Sequence, residues 1–275
     1  MKITSKVLIY TLLIILLIIS VVPVWMLLVN ATRTTEEINR AISLIPGTNL
    51  LNNWRSLQER GIDIGLGIRN SSILAFSTTF LSVYFSMLTA YAIVVYKFRF
   101  KRQFYAFILA MTMIPAQLYL IGFLQYMHFL GLLNTFTPLI VPSIAAAGTV
   151  FFCKQYLEGV VSMELVQSAR IDGASEFRIF NRIILPMAAP GAFTMAIFAF
   201  VASWNAFMTP LFMIGAEHRL HTLPLILNRI QTDAYHTDFG GVYFGMAVTL
   251  IPIIIVYAVF SKYIISGISL GAVKE

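Results

Sequence analysis

The chain has 275 residues, of which 59% are hydrophobic and only 11% are charged. Soluble domains are about 45–50% apolar and about one-quarter charged, so this composition excludes a disordered chain, a soluble nucleic-acid-binding domain and a disulfide scaffold, and it favours a membrane protein. The formal net charge of +7 comes from basic residues scattered at the ends of apolar runs, without the clustering beside aromatic residues that a nucleic-acid surface shows.

Five stretches contain no Asp, Glu, Lys or Arg and are long enough to cross a bilayer, which takes about 20 residues as a helix. One of them, residues 103–153, is long enough for two crossings, with a break near Gly131 and Asn134. The sequence therefore predicts an all-α, polytopic membrane protein with six transmembrane helices. Their predicted ranges are residues 8–29, 71–96, 104–126, 137–157, 187–213 and 241–262.

The first span is predicted to be a retained anchor. Its apolar run is longer than the roughly 7–15 residues of a cleavable signal peptide, and no small-x-small cleavage site follows it. Residues 30–70 then form a sizeable outer segment. In it, Thr34 and Glu37 have the spacing of a capping box for a short helix, and Pro46 with Gly47 marks a turn.

Six spans place both termini on one side, and the distribution of positive charge predicts that this side is cytoplasmic. The loops and termini assigned to it carry twelve of the 19 Lys and Arg residues but only five of the 12 Asp and Glu residues, whereas the other side carries seven of each. The whole excess of positive charge thus lies on the side that holds the termini.

Within the predicted spans the residues among Asp, Glu, Lys and Arg are Lys154, near the cytoplasmic end of the fourth, and Lys262, the last residue of the sixth. The long side chain of Lys154 can reach the interface. Ion-coupled transporters and proton pumps usually need a buried ionisable group. The sequence also lacks a G-x-x-x-x-G-K-[ST] phosphate loop, so uphill transport would draw its energy from a partner. His128, near the outer end of the third span, is interpreted as an interfacial residue.

No catalytic motif and no metal site are predicted, because H-E-x-x-H and G-x-S-x-G are both absent. His218, His221 and His236 share one outer segment, but they lack a cysteine or a clear carboxylate partner at ligand spacing and are interpreted as surface histidines. Cys153 is the only cysteine, and its apolar neighbours indicate a packed apolar position.

Helix breakers are frequent in the fourth to sixth spans and at their edges. Proline at membrane depth is tolerated where neighbouring helices or water satisfy the freed carbonyls, which favours a packed bundle with a cavity over a simple anchor. The alternative, that these residues only permit close packing, stays open. The prolines are Pro142, Pro186, Pro190, Pro210 and Pro252.

The longest cytoplasmic connection, residues 158–186, is predicted to hold two short amphipathic helices bent at a glycine. Ser162 can cap a helix over Met163–Ile171, which Gly173 would end, and Ser175 can cap a second helix that runs to about Ile184. Two interpretations follow from the pattern: docking into a groove of a partner protein, or lying on the anionic inner leaflet. The apolar stripe is predicted to comprise Leu165, Ala169, Phe177, Phe180 and Ile184, and the basic face Arg170, Arg178 and Arg182.

This connection resembles the "EAA" loop in the membrane subunits of bacterial ABC importers, in the form found in carbohydrate-uptake systems. The tail of the chain resembles that of the maltose-type second permease, and weaker likeness extends over nearly the whole chain. The matching segments are residues 168–175 (SARIDGAS), 182–186 (RIILP), 203–211 (SWNAFMTPL), 222–224 (TLP) and 266–274 (SGISLGAVK), with weaker likeness at 113–117 and 130–134.

The resemblance implies a non-catalytic subunit that forms half of a translocation pathway in a bacterial or archaeal cytoplasmic membrane. It implies a heterodimer with a second permease subunit, two ATP-binding cassette ATPase subunits, and an extracytoplasmic solute-binding protein that delivers a sugar, expected to be an oligosaccharide. No cofactor is expected on this chain, since ATP and Mg would be bound by the ATPase partners. Apart from its protein partners and substrate, the chain would contact membrane lipid and no nucleic acid.

The resemblance also implies which residues contact the ATPase, with Gly173 making the bend of the coupling helix. The sequence departs from the family pattern at Gln167 and Ser168, which replace the usual Glu and Ala. Gln167 can hydrogen-bond a cationic partner but cannot form an ion pair with it. Either the ATPase partner has co-adapted, or coupling depends on packing around Ala169 and Gly173. The implied contact residues are Gln167, Ser168, Ala169, Asp172 and Gly173 in the loop, and Gly267, Gly271 and Lys274 in the C-terminal tail.

Gln117, Trp204 and Asn205 are candidates for the translocation pathway, because sugar sites use aromatic stacking and neutral hydrogen-bonding groups; helix packing is their alternative role. Two other functions stay open, a secondary transporter or channel acting without an ATPase, and a membrane scaffold. The missing intramembrane charges disfavour the first, and the proline-broken spans disfavour the second.

The expected organisation has three segments. Residues 1–70 form the N-terminal transmembrane helix and outer loop, residues 71–263 form the core permease domain with the coupling loop at 158–186, and residues 264–275 form a cytoplasmic C-terminal tail.

Overall fold

The computed structural model describes residues 3–232 and 238–272, with side chains for residues 6–115, 117–232 and 238–260. Within these ranges every regular element is helical and there is no β-strand. The predicted all-α fold is therefore confirmed.

The helices are connected by short turns, two of them 3₁₀ turns (Val141–Ala145 and His218–Leu220), while a π-helical turn (Phe180–Ile184) joins α10 to α11. In chain order the helices are α1 (Ile3–Asn30), α2 (Thr35–Arg40), α3 (Leu50–Glu59), α4 (Ile64–Val95), α5 (Lys101–Thr112), α6 (Ala116–Phe129), α7 (Thr137–Ile140), α8 (Ala147–Val160), α9 (Met163–Ile171), α10 (Glu176–Ile179), α11 (Leu185–Met187), α12 (Ala189–Trp204), α13 (Met208–Ile214), α14 (Leu223–Thr232) and α15 (Phe239–Ala272).

Four helical stretches are long and apolar enough to cross a membrane on their own: Lys6–Asn30, Ile64–Val95, Thr137–Val160 and Phe239–Phe260. They correspond to the predicted first, second, fourth and sixth spans. A helix suits this setting because it satisfies its backbone hydrogen bonds internally, without water.

The third and fifth predicted spans are bent. Helices α5 and α6 meet at 99°, so the predicted span over residues 104–126 is formed by a bent pair of helices. The break lies at Pro115, which has no N–H to donate and disfavours the helical conformation of the residue before it. The helical stretch Glu176–Met187 likewise meets α12 at 80°. The chain has six spans if each bent pair is counted as one.

The predicted span over residues 187–213 is also interrupted at its other end. Helix α12 ends at Trp204, and α13 begins only at Met208. The Asn205 amide nitrogen Nδ2 donates to the Val201 carbonyl at 3.0 Å, within the last turn of α12. Side chains that bond to nearby backbone in this way compete with continuation of a helix.

The chain forms two compact units, the first of which comprises Met1–Gly67 and Leu223–Pro252. Within it the predicted capping box is confirmed. The Thr34 hydroxyl accepts from the Glu37 backbone N–H at 3.2 Å, and the Glu37 carboxylate accepts from the Thr34 N–H at 3.0 Å. These bonds satisfy two of the backbone donors that the start of α2 leaves without helical partners.

Asp238, directly before α15, fixes the outer segment of the first unit. Its carboxylate accepts hydrogen bonds from the hydroxyls of Ser56 at 2.9 Å and Thr35 at 3.2 Å. It also accepts from the Gly241 N–H at 3.0 Å, and it lies 3.6 Å from the Arg60 guanidinium. One carboxylate therefore ties α2, α3 and the start of α15 together.

The second unit comprises Ile68–Thr222 and Ile253–Glu275. Its main core cluster joins the C-terminal half of α4 to α8 and to the connection that follows α8. Cys153 is buried in this cluster, which confirms its interpretation as a packed apolar residue. The buried members are Val83, Met87, Ala90, Tyr91, Val95, Cys153, Leu157, Val166, Ala169, Ile179, Phe180, Ile184 and Ala188. The sequence segments 1–70, 71–263 and 264–275 remain a prediction.

Candidate coupling site

The loop between the fourth and fifth spans contains a short helix that ends in a left-handed turn. The Ser162 hydroxyl caps α9 by accepting from the Leu165 N–H at 3.2 Å. Gly173 follows with a φ of 77°, where glycine has no steric cost. The Ala174 N–H donates to the Ala169 carbonyl, and the Gly173 N–H to the Arg170 carbonyl, both at 3.0 Å. This pair of bonds is a Schellman motif, so backbone geometry fixes the bend at Gly173.

The second predicted helix of the loop is present and extends further than expected. The Ser175 hydroxyl caps it by accepting from the Arg178 N–H at 3.4 Å. Helix α10, the π-helical turn Phe180–Ile184 and α11 then continue to Met187, three residues beyond the predicted end at Ile184. A π-helical turn is rare and often lies at a functional position.

The inner faces of both short helices belong to the core cluster of the second unit. Val166 and Ala169 of α9 are buried there together with Ile179, Phe180 and Ile184. Burial of an Ile or Phe side chain contributes about 1.5–3 kcal/mol each. The loop is thus packed firmly onto α4 and α8.

The outer face is partly apolar. Ile171 is 86% exposed and Phe177 is 68% exposed. Ile171 lies two residues from the buried Ala169, and Phe177 lies two residues from the buried Ile179. Two residues correspond to a rotation of about 200° around a helix, so each exposed side chain is on the face opposite its buried neighbour. The prediction that Phe177 shares one apolar stripe with Ala169, Phe180 and Ile184 is therefore wrong. Helical periodicity counted from Ala169 in α9 and from Ile179 in α10 would have identified Ile171 and Phe177 as outward-facing.

The predicted loop contacts divide between the two faces. Gln167, Ser168, Asp172 and Gly173 are exposed on the outer side of the turn. Ala169 is 7% exposed and packs inside this chain. The four exposed residues surround Ile171 in the sequence, so a polar rim and an apolar centre occupy one short surface. We call Gln167, Ser168, Ile171, Asp172, Gly173 and Phe177 the loop surface.

A charged pair spans the glycine turn. Arg170 Nε donates to Glu176 Oε1 at 2.6 Å, and Tyr91 in α4 donates its hydroxyl to Glu176 Oε2 at 3.0 Å. The Arg170 guanidinium also lies over the Tyr96 ring, 5.7 Å from its centroid. The Arg170 hydrogen bond holds the pKa of the Glu176 carboxyl below its usual value, although partial burial acts in the opposite direction.

A second polar contact lies seven residues earlier in α4. Tyr84 donates its hydroxyl to Asn181 Oδ1 at 3.1 Å, and Asn181 Nδ2 donates to the Phe177 carbonyl at 2.9 Å. The Phe180 ring contacts the rings of both Tyr84 and Tyr91, with centroids 5.8 and 5.5 Å away. The second helix of the loop therefore lies along α4 and is bonded to it at two heights.

The three pathway candidates differ in accessibility. Gln117, in the first turn of α6, and Asn205, directly after α12, are exposed. Trp204 is 1% exposed and stacks on Phe200 with centroids 5.7 Å apart. Trp204 therefore supports the end of α12, while the other two side chains offer polar surface.

The remaining predicted residues lie at the edge of what the structure describes. Gly267 and Gly271 belong to α15, and Lys274 is outside the described residues. The rings of His218 and His221 meet edge to face at 4.7 Å, and His236 is outside the described residues. Among the described side chains no group of three or more His, Cys, Asp or Glu could hold a metal ion.

Comparison with known sequence families gives a match over residues 82–270 to the family described as binding-protein-dependent transport system inner membrane component. The matched range includes α4 from Ser82 onward, the whole loop and most of α15.

Two curated relatives match nearly the full length of the chain. The arabinooligosaccharides transport system permease protein AraQ of Halalkalibacterium halodurans is 34% identical over 259 residues, covering 93% of this chain and 92% of the relative. The sn-glycerol-3-phosphate transport system permease protein UgpE of Escherichia coli is 29% identical over 265 residues, covering 94% of each.

A solved structure shows the same fold. A chain from the crystal structure of a bacterial ABC transporter involved in the import of the acidic polysaccharide alginate superimposes with a TM-score of 0.81. It is 21% identical in sequence, and the match covers 95% of this chain and 96% of that one.

Proposed function

Because the chain belongs to the family of binding-protein-dependent transport system inner membrane components, we propose that it is the permease subunit of an ABC importer for a carbohydrate. It forms half of the translocation pathway and has no catalytic residue of its own. ATP is hydrolysed in a partner, and two ATPase subunits, a second permease and an extracytoplasmic solute-binding protein complete the assembly.

The loop surface is the single observation that carries the coupling role. An Ile that is 86% exposed and a Phe that is 68% exposed are costly in water and suit the apolar centre of a protein interface. The surrounding Gln167, Ser168 and Asp172 supply the polar rim that such interfaces have. A short helix with outward apolar residues at its end fits a groove in an ATPase subunit.

Two features favour a protein partner over the inner leaflet. A helix that lies on the membrane would direct Arg170 at anionic lipid. Here Arg170 instead forms an ion pair with Glu176, and its guanidinium lies over the Tyr96 ring. Asp172, which is exposed directly beside Ile171, carries a negative charge that an anionic membrane surface would repel. The docking residues of the loop are therefore the exposed members of the predicted set, together with Ile171 and Phe177.

The proposed topology puts this loop and both termini in the cytoplasm. The excess of Lys and Arg on that side supports the orientation. The tail that carries Gly267, Gly271 and Lys274 then lies on the ATPase side of the membrane, where it can make a second contact.

We propose an oligosaccharide as the substrate. One relative is named for arabinooligosaccharides and another for sn-glycerol-3-phosphate, and both solutes carry free hydroxyl groups. The exposed amides of Gln117 and Asn205 can donate to and accept from hydroxyl groups. The predicted spans lack Asp, Glu and Arg, which favours a neutral solute over a charged one.

The test is purification of the tagged chain from its native membrane in mild detergent, with identification of the co-purifying subunits. We expect a second permease and an ATP-binding subunit. Hydrolysis of ATP in nanodiscs should rise on addition of the solute-binding protein with an arabino-oligosaccharide, and less with sn-glycerol-3-phosphate. Uptake into liposomes by the chain alone, without any ATPase subunit, would instead establish a secondary transporter or channel.

A further inference from the structure

The cytoplasmic end of α4 and the loop surface are joined by a continuous set of polar contacts. Ile171, Asp172 and Gly173 lie between Arg170 and Glu176 in the sequence, so the ion pair closes the turn that presents them. The second oxygen of the same carboxylate is bonded to Tyr91, which is 2% exposed inside the core of the second unit. The Glu176 carboxylate therefore connects the turn directly to α4.

We propose that Arg170, Glu176 and Tyr91 form a clasp that makes the loop surface and α4 move as one body, so that the clasp transmits ATPase closure to the second span. These are positioning residues, since the loop surface itself makes the contact with the partner. The inference rests on the proposed function, because it names the element of the pathway that the loop moves.

The chemistry of the clasp suits a mechanical link. Bonds to an ionised carboxylate are shorter and roughly twice as strong as neutral ones, and both oxygens of Glu176 are occupied, one by a cation and one by a phenol. The Arg170 guanidinium is also held from its other side by the Tyr96 ring. Removal of any one partner leaves the others in place but loosens the turn.

Apolar packing alone would hold the loop without fixing its angle. Phe180 contacts the rings of both Tyr84 and Tyr91, and the hydrophobic part of these contacts is non-directional. The hydrogen bonds at Tyr91 and Tyr84 act at two heights along α4 and prevent rotation of the loop about Phe180. Of the two, the Tyr91 bond involves a charge and lies at the turn itself, so it carries more of the link.

The clasp is tested in the complete complex of this chain, the second permease and two ATPase subunits in nanodiscs. Nitroxide labels are placed on Lys97→Cys, two residues beyond the end of α4, and on Arg178→Cys in the loop. Both positions are exposed, whereas the native Cys153 is buried and stays unlabelled. The distance between the labels is measured by pulsed electron paramagnetic resonance, without nucleotide and with ATP plus vanadate.

We expect one narrow distance in the otherwise unmodified complex in both conditions. In Tyr91→Phe and Glu176→Gln the distribution of label-to-label distances should broaden on addition of ATP and vanadate. The reason is that conformations in which the loop has lost its contact with Tyr91 become about tenfold more populated. Hydrolysis of ATP should continue in these variants, but its stimulation by the solute-binding protein should fall. Arg170→Glu should behave in the same way, and the double variant Arg170→Glu/Glu176→Arg should recover the narrow distance.

Tyr105→Phe is the matched control. It makes the same chemical change on α5, and the buried Tyr105 hydroxyl has no hydrogen-bond partner among the described residues, so this variant should match the parent complex. Narrow, nucleotide-independent distances with full stimulation in Tyr91→Phe and Glu176→Gln would overturn the clasp and leave the proposed function standing. A complex that lacks ATPase subunits would overturn both.

Discussion

Replacement of Gly173 with valine is expected to uncouple transport from ATP hydrolysis by disrupting the turn that presents the loop surface. Gly173 has a φ of 77°, and a non-glycine residue pays about 1–2 kcal/mol there, more if it is β-branched. A Cβ on Gly173 would meet no described atom within 4 Å, so within this chain the effect comes from backbone conformation. Since about 1.4 kcal/mol is a factor of ten, the native turn should lose at least about tenfold in population relative to opened forms.

The assay compares solute uptake per ATP hydrolysed in proteoliposomes with the exchange rate of the Ala174 amide hydrogen, which is bonded to the Ala169 carbonyl in the native turn. We expect uptake per ATP to fall and amide exchange to accelerate in Gly173→Val. Asparagine tolerates the left-handed region, so Gly173→Asn should lie between valine and the parent.

Gly159→Val serves as the control, because Gly159 also has open space around its Cβ but adopts an ordinary helical conformation at the end of α8. It should leave both readouts unchanged. Parental uptake per ATP and a protected Ala174 amide in Gly173→Val would refute the reasoning from backbone conformation.

Three further predictions concern separate parts of the molecule. Ile171→Ser and Phe177→Ser should weaken recovery of the ATPase subunit in pull-downs, since each removes about 1.5–3 kcal/mol of apolar burial at the interface, while the melting temperature of the permease stays unchanged. Phe180→Ala should show the reverse behaviour, with a loss of about 3–5 kcal/mol in the free energy of unfolding from a cavity in the core, measured by thermal denaturation in detergent. Asp238→Asn should accelerate proteolysis within residues 30–60 of the outer segment, because its bonds to Thr35 and Ser56 lose their charge; equal cleavage of variant and parent would contradict this role.

Much of the fold could be predicted from the sequence because its signals are local. The scarcity of charge in long apolar runs identified the spans, and the capping residues Thr34, Ser162 and Ser175 each bond as their spacing predicts. The glycine turn at residue 173 was predicted for the same reason, since only local backbone geometry is involved. The bends near Pro115 and Ala188 were missed because proline marks a break without specifying its angle.

The coupling loop has some features that its own sequence predicts and others that depend on tertiary packing. Its two helices, their caps and the bend follow from residues within the loop, and the resemblance to the importer family predicts that this stretch contacts a partner. Which side of each helix points outward was decided by tertiary packing: burial of Ile179 and Phe180 against α4 turns Phe177 to the surface, and burial of Ala169 leaves Ile171 exposed. The contact between Glu176 and Tyr91 joins residues 85 positions apart. Such a contact depends on how α4 and the loop are placed in space, which no local pattern encodes.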